Sequence, residues 1–261
     1  MKFPKKSLGQ NFLIDKNIIK KIVSLISIKD KNVVEIGPGK GALTEEILKK
    51  KPKSLTLIEK DNEFSEKLKI RFSGDKSIKI INEDILNFNL EREMKSNSII
   101  FGNLPYNISS QILIKILRFN KWPPNFHNVV FMFQKELGEK IAGKFKTKDY
   151  GRISIISSYR LKIIKKFLIS PNCFFPKPKI NSIILHFKPK DNILFKIKKI
   201  TNLEKITNLF FSNKRKMINK SLKKIFTDKE IKSIPSLKEN LRPTEVDPET
   251  YYKITEIFER K

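Results

Sequence analysis

Asn32-Val33-Val34-Glu35-Ile36-Gly37-Pro38-Gly39-Lys40-Gly41-Ala42-Leu43-Thr44 decides the fold. The first five residues read as a buried strand. The glycines make a tight turn, and a helix follows from about Ala42 to Lys50. Strand, glycine-rich turn and helix in direct succession open a doubly wound α/β domain of the nucleotide-binding kind. Gly37 and Gly39 let the backbone pass close to a ligand at the strand's carboxyl end, and the N-terminus of the next helix faces that ligand. The spacing is GxGxG. Its third glycine comes one residue earlier than in the dinucleotide pattern GxGxxG, which weakens an NAD reading.

Outward from this turn, Ser54–Ile58 is the second strand, and Glu59 stands at its tip, 22 residues after Gly37. An acid there accepts hydrogen bonds from both ribose hydroxyls; it also suits a helix-capping acid beside Asp61. Ser77–Ile81 is the third strand, leading into Asn82-Glu83-Asp84-Ile85-Leu86. Asp84 and Ile85 suit an adenine, the carboxylate accepting from the amino group and the isoleucine packing on the ring. The same residues also read as an ordinary polar strand exit. The fourth strand, Ser98–Phe101, breaks at Gly102 and presents Asn103-Leu104-Pro105-Tyr106. Asn103 offers a side-chain carbonyl and Leu104 a backbone carbonyl, both suited to an exocyclic amine. Pro105 biases Leu104 toward extended geometry, and Tyr106 supplies a flat face for stacking. Read alone, the tetrapeptide is equally a strand-end turn with Tyr106 as packing.

Farther along, Ser109-Ser110 start a helix running through Leu117, Val129–Phe133 is a fifth strand, and Gln134-Lys135-Glu136 opens a helix to about Ala142. Tyr150-Gly151-Arg152 precedes another helix, residues 161–169 alternate as a sixth strand, and Ile180–Phe187 is the seventh. Alternating β and α elements ending in an extended pair predict a seven-stranded mixed sheet. Just before the last strand lies Ser170-Pro171-Asn172-Cys173-Phe174-Phe175-Pro176-Lys177-Pro178-Lys179. Its prolines enforce an extended loop, and aromatics among lysines suit base stacking with phosphate contact. Of Phe174 and Phe175, one is expected to stack on a base and the other to close the sheet edge. Upstream of the first strand, residues 1–16 form a basic arm. Its Gln10-Asn11-Phe12-Leu13 cluster predicts that it folds back over something, and Asp15 caps a helix carrying Ile18, Ile19, Ile22, Val23 and Ile26.

After Pro189 the pattern is entirely helical. Residues 188–225 hold 12 Lys/Arg against 2 Asp/Glu, and Leu203, Ile206, Phe210 and Phe211 supply an apolar face. The reading is two domains, 1–189 and 190–261, the second a small helical one whose Lys214-Arg215-Lys216 contact phosphate. The whole chain carries 55 Lys+Arg against 27 Asp+Glu, a formal net charge of +28. Such an imbalance favours an anionic polymer, nucleic acid first, as partner. The single Cys173 excludes internal disulfides, and His127 and His186 stand too far apart to make a metal-ligand pair. No apolar run approaches the length of a membrane span, and no secretory segment follows Met1-Lys2-Phe3-Pro4. A cytoplasmic, metal-free monomer is expected.

Taken together, Gly9-Gln10-Asn11-Phe12-Leu13, Val34–Thr44 and Asn103-Leu104-Pro105-Tyr106-Asn107 make a family recognisable. The chain resembles the ribosomal RNA adenine N6-dimethyltransferases, most closely the KsgA-like enzymes of the small ribosomal subunit. The resemblance runs nearly end to end and includes Gln134-Lys135-Glu136, Tyr150-Gly151-Arg152 and the Phe-Phe-Pro-Lys-Pro-Lys loop. One departure is Lys216-Met217, where relatives usually have Lys-Thr. The resemblance implies a Rossmann-like class I methyltransferase fold with S-adenosyl-L-methionine as donor. By motif matching, Asn11 and Leu13 lie against the donor, Gly37 lines its methionine portion, Glu59 holds the ribose and Asp84 the adenine. Asn103 borders both donor and target base. The implied activity is N6,N6-dimethylation of two adjacent adenosines in a hairpin near the 3′ end of small-subunit (16S) rRNA, on an immature small subunit. Two alternatives stand beside it: large-subunit (23S) adenine methylation giving macrolide resistance, and a mainly non-enzymatic assembly factor. Carbon-5 pyrimidine methylation is disfavoured, because it needs a cysteine nucleophile and Cys173 is not at a strand end beside the donor turn.

Overall fold

The structure, a computed structural model, describes residues 11–234 and 237–261. Residues 1–10, including Gly9 and Gln10 of the arm motif, lie outside the described residues. The chain forms two compact units. The first takes the chain up to Ile116, then Pro123–Gly138 and Ile163–Pro189; the second takes Leu117–Trp122, Glu139–Lys162 and Lys190–Lys261.

The first unit begins with a short strand β1 (Phe12–Leu13) and helix α1 (Lys16–Val23). Asp15 caps α1 as expected, accepting from the N–H groups of Asn17 and Ile18 at 2.9 and 3.0 Å. Next come β2 (Asn32–Ile36), α2 (Ala42–Lys49), β3 (Ser54–Glu59), α3 (Asn62–Arg71), β4 (Ile78–Asn82) and the single turn α4 (Leu90–Glu93). The series continues with β5 (Ser98–Gly102), α5 (Ser109–Leu117), β6 (Phe126–Gln134), α6 (Lys135–Ile141), α7 (Arg152–Arg160), β7 (Leu161–Ile169), β8 (Phe174–Phe175) and β9 (Ser182–Pro189).

Seven of these strands form one sheet in the order β4-β3-β2-β5-β6-β9-β7, and β1 pairs with β8 in a separate two-stranded ribbon. β4 through β6 run parallel to one another, and β9 runs antiparallel to β6. The mixed seven-stranded sheet expected from the sequence is therefore present. Ile99, Ile100 and Phe101 of β5 are fully buried, as an unbroken apolar run in a parallel strand covered on both faces requires. Chain growth proceeds outward from β2 through β3 to β4, then returns to the other side of β2 for β5. The strand order reverses between β2 and β5, and in such sheets a crevice opens at the carboxyl ends of that pair. The register sets Ile36 level with both Ile58 and Gly102. The glycine turn, Glu59 and Asn103 thus emerge side by side.

In the second unit α7 packs against α8 (Ile200–Phe211) and α11 (Pro248–Phe258), with α9 (Asn219–Leu222) and α10 (Asp228–Lys232) between them in the chain. Leu203, Ile206 and Phe210 are buried, as their helical spacing predicts. The phenols of Tyr150 and Tyr251 donate to the carbonyls of Val246 and Pro243, each at 2.8 Å. Arg160, buried, donates to the carbonyls of Leu117 and Phe119 at 2.6 Å each and lies over the Trp122 ring. The expected boundary between 189 and 190 is only the last point at which the chain enters this unit. Residues 117–122 and 139–162 join it earlier. The linear β–α alternation places α7 in the first domain; its buried Ile155, Ile156 and Tyr159 instead find partners on helices that come 40 or more residues later in the chain. No helix among the described residues is long and apolar enough to cross a membrane.

Candidate functional site

The cleft at the carboxyl ends of β2, β3 and β5 is built wholly within the first unit. Its walls include Asn11 and Leu13 from the arm, Gly37 and Gly39 from the glycine turn, and Glu59 and Lys60 after β3. Asp84 and Ile85 come from the exit of β4, and Asn103 through Asn107 from the exit of β5. All eight residues expected to hold a cofactor therefore line one cavity.

The turn is glycine-rich for a local reason. Gly39 has φ +55°, and a Cβ there would sit 2.9 Å from the Phe12 ring, so a side chain would be strained and would also displace the arm. Glu59 ties the turn to the next strand. Its Oε2 accepts from Gly39 N–H at 2.9 Å and its Oε1 from Asp61 N–H at 2.8 Å. Burial raises the Glu59 pKa, opposed by those two hydrogen bonds. Asp61, weighed in the sequence as a neighbour that made Glu59 a capping candidate, is itself the cap of α3, accepting from Glu63 N–H at 3.0 Å.

At the exit of β4, Asp84 accepts from Leu86 N–H at 2.9 Å and from Lys60 Nζ at 2.7 Å. Burial opposes its charge, yet Lys60 and the Leu86 amide outweigh it and hold the pKa below the usual carboxylate range. Lys115 of α5 donates to the Leu86 carbonyl at 2.8 Å and so anchors the same loop from below. Neither lysine stood out in the sequence, because a lysine in a lysine-rich chain carries no pattern of its own.

At the exit of β5, Asn103 Nδ2 donates to the carbonyl of Asn11 at 3.1 Å. Because a carbonyl can only accept, this contact fixes the orientation of the amide and leaves Asn103 Oδ1 as its acceptor end. Leu104 is buried, and the Pro105 carbonyl accepts from Ile108 N–H in the turn that follows. The Tyr106 hydroxyl shares a 2.6 Å hydrogen bond with Ser182 Oγ, at the start of β9, which locks the ring beside the cleft; burial raises its pKa.

The arm does fold back. Phe12 pairs with Phe175 and Leu13 with Phe174 in the β1–β8 ribbon. This arrangement separates the two phenylalanines. Phe175 is 48% exposed, whereas Phe174 is 3% exposed within the core cluster that also holds Leu13 and Cys173. Phe174 is thereby corrected from a stacking candidate to a core residue, since alternate residues of a strand point to opposite faces. Lys214, Arg215 and Lys216 are exposed on the turn after α8, in the second unit. His186 is buried, its Nε2 2.6 Å from Asn128 Oδ1 across the β6–β9 pair.

Glu35 is a cleft residue that the sequence reading did not single out, although a lone acid in Val-Val-Glu-Ile is a visible anomaly. Thr44 Oγ1 donates to its Oε2 at 2.7 Å. Its pKa is pushed up from the ordinary 4.5 to about 8 by burial, opposed by the Thr44 hydroxyl and reinforced by Glu59. The folded state therefore binds a proton that the unfolded chain has released. The stability this contributes is complete below pH 4.5 and is lost as the pH rises toward about 8. Glu35→Gln is expected to flatten the fall of melting temperature across that window; an unchanged pH profile would show that Glu35 is not the titrating group.

The chain matches the family described as "Ribosomal RNA adenine dimethylase" over residues 2–260. It is 48% identical to ribosomal RNA small subunit methyltransferase A of Pelagibacter ubique, across 98% of this chain and 97% of that protein. It is 39% identical to the protein of the same name from Malacoplasma penetrans, across 97% and 91%. Among solved structures it is similar to a dimethyladenosine transferase from Plasmodium falciparum, with a TM-score of 0.75, 22% identity and coverage of 93% and 95%. It is also similar to the 23S rRNA methyltransferase ErmE, with a TM-score of 0.68, 23% identity and coverage of 95% and 98%. At such identities the structural likeness establishes the fold, that of a Rossmann-like class I methyltransferase with a C-terminal helical region. The sequence matches go further: with them, the chain belongs to the ribosomal RNA adenine dimethylase family.

Proposed function

We propose that this protein transfers methyl groups from S-adenosyl-L-methionine to N6 of two adjacent adenosines in a hairpin near the 3′ end of small-subunit rRNA, on an immature small subunit. The observation that carries the reading is the Asn103 amide, clamped by Asn11 so that Oδ1 is the acceptor end beside the Leu104 backbone. The donor set of the cleft supports S-adenosyl-L-methionine as cofactor. Gly37 and Gly39 leave room for the amino-acid portion against bare backbone, Glu59 is a buried acceptor for ribose hydroxyls, and Asp84 with Ile85 suits adenine. When bound, that group supplies an electrophilic methyl on a sulfonium sulfur.

The chain's own residues must do the rest. The lone pair of an adenine amine is delocalised into the ring, so the amine is a weak nucleophile. Asn103 Oδ1 and the Leu104 carbonyl each accept one N–H, which favours a pyramidal nitrogen with its lone pair free. The same two acceptors stabilise the positive charge that develops on nitrogen during transfer. No strong general base is needed, since the alkylated nitrogen sheds its proton readily to water. Holding the amine in line contributes roughly 7–11 kcal/mol through orientation. The target base must leave its stack, at a cost of a few kcal/mol, which stacking on Tyr106 and on the exposed Phe175 offsets.

Methyl incorporation into each purified ribosomal subunit from an unmodified strain tests the reading. Label in the small subunit, mapped to two neighbouring adenosines as dimethyladenosine, is expected; label confined to the large subunit, or binding with no label, sinks it. The exposed Lys214-Arg215-Lys216 turn suits phosphate. Neutralising all three is expected to weaken rRNA binding and to lower the slope of log K against log salt by about 2–3. An unchanged slope assigns that turn to something other than phosphate.

A further inference from the structure

Beside the donor cleft, on the outer side of the glycine turn, lies a second groove to which the reaction above gives no work. It is bordered by Gly39, Lys40, Phe64, Lys67, Leu68 and Arg71. Three of those six residues are cationic and one, the half-buried Phe64, is aromatic; they come from the turn and α3.

The groove is continuous with the mouth of the cleft through alternating rings and cations. Lys40 Nζ lies 5.9 Å from the centroid of Phe175 and 4.7 Å from that of Phe12. Phe12 meets Phe64 edge-on at 5.3 Å, and Lys67 Nζ lies 6.0 Å from the Phe64 centroid. Lys40 has no carboxylate partner among the described residues, whereas Lys67 is paired with Glu63 at 2.7 Å and Arg71 with Glu45. Arg71 also donates to the Lys40 carbonyl at 3.2 Å, tying α3 to the turn. Rings interleaved with cations along a groove are the pattern that binds single-stranded nucleic acid, with bases on the rings and phosphates on the cations.

We infer that this groove holds an unpaired nucleotide of the RNA strand flanking the target adenosine, its phosphate on Lys67 and Lys40 and its base against Phe64. The inference rests on the rRNA reading above and extends it to a second contact surface.

The test uses the full chain and a labelled RNA hairpin with two adjacent adenosines in its loop, titrated over a range of salt. Lys67→Ala and Phe64→Leu are each expected to weaken binding about five-fold or more. Lys67→Ala is also expected to lower the salt slope by about 0.7, while Phe64→Leu leaves it unchanged. Glu63→Gln, which frees Lys67, is expected to tighten binding, an effect that mere loss of stability cannot produce. Donor affinity, measured separately, should stay at the wild-type value in all three variants. If these variants leave RNA binding untouched while neutralising Lys214–Lys216 weakens it, the groove inference falls and the rRNA reading stands. If affinity rises in Lys67→Ala or Phe64→Leu, the groove does not hold the RNA strand and the inference falls. A wild-type protein that neither binds nor methylates rRNA overturns both.

Discussion

Asn103→Ala is expected to lower the rate of methyl transfer by a factor of about 10²–10³ while leaving donor affinity within about two-fold. On the proposed reading the side chain offers an acceptor to the target amine, and removing a preorganised group that faces developing charge costs turnover before it costs ground-state binding. Asn103→Asp separates two parts of this role. It keeps an oxygen toward the amine but cannot donate to the Asn11 carbonyl, the contact that holds the wild-type amide at 3.1 Å. An intermediate loss is therefore expected for the aspartate. Single-turnover methylation of the rRNA hairpin, with donor binding measured by calorimetry, checks both variants. Wild-type turnover in Asn103→Ala would refute the amine contact.

Glu59→Ala is expected to weaken donor binding by about 10- to 100-fold, the range for losing a charge-assisted hydrogen bond to a ligand hydroxyl. It also removes the acceptor of Gly39 N–H and Asp61 N–H, the two contacts that brace the glycine turn against the start of α3. A melting temperature several degrees lower is expected for that reason, since each buried amide left without a partner costs about 1–3 kcal/mol. Glu59→Gln retains an oxygen for one of the two amides and should recover part of the stability but little of the donor affinity. Donor affinity unchanged in both variants would move the ribose contact elsewhere.

These two residues were legible because each sits where a strand pattern stops. An apolar run that ends in an acid or an amide marks a carboxyl-terminal strand tip, and in a doubly wound sheet those tips are where ligands bind. Glu35 broke the pattern of its own strand just as visibly, but its environment was not readable. Whether an acid in a strand is solvated or buried depends on what covers that face, and here Thr44 and the start of α2 do. Lys60, Lys115 and the division between Phe174 and Phe175 were less visible still. The lysines act through partners 24 and 29 residues away in the chain, and the phenylalanines are adjacent residues of identical type.

The linear chain by itself determined the βαβ order, the glycine turn, the strand tips carrying Glu59, Asp84 and Asn103, and the basic helical tail. Those features rest on periodicity and on local backbone chemistry, which act over a few residues. Only the tertiary structure decided that Asn11 would clamp the Asn103 amide, that Phe174 would turn inward and Phe175 outward, and that α7 would pack with helices of the second unit. Each of these depends on which surfaces meet after the chain has closed, and a contact between residues 92 apart, such as Asn11 with Asn103, leaves no local trace in the order of residues.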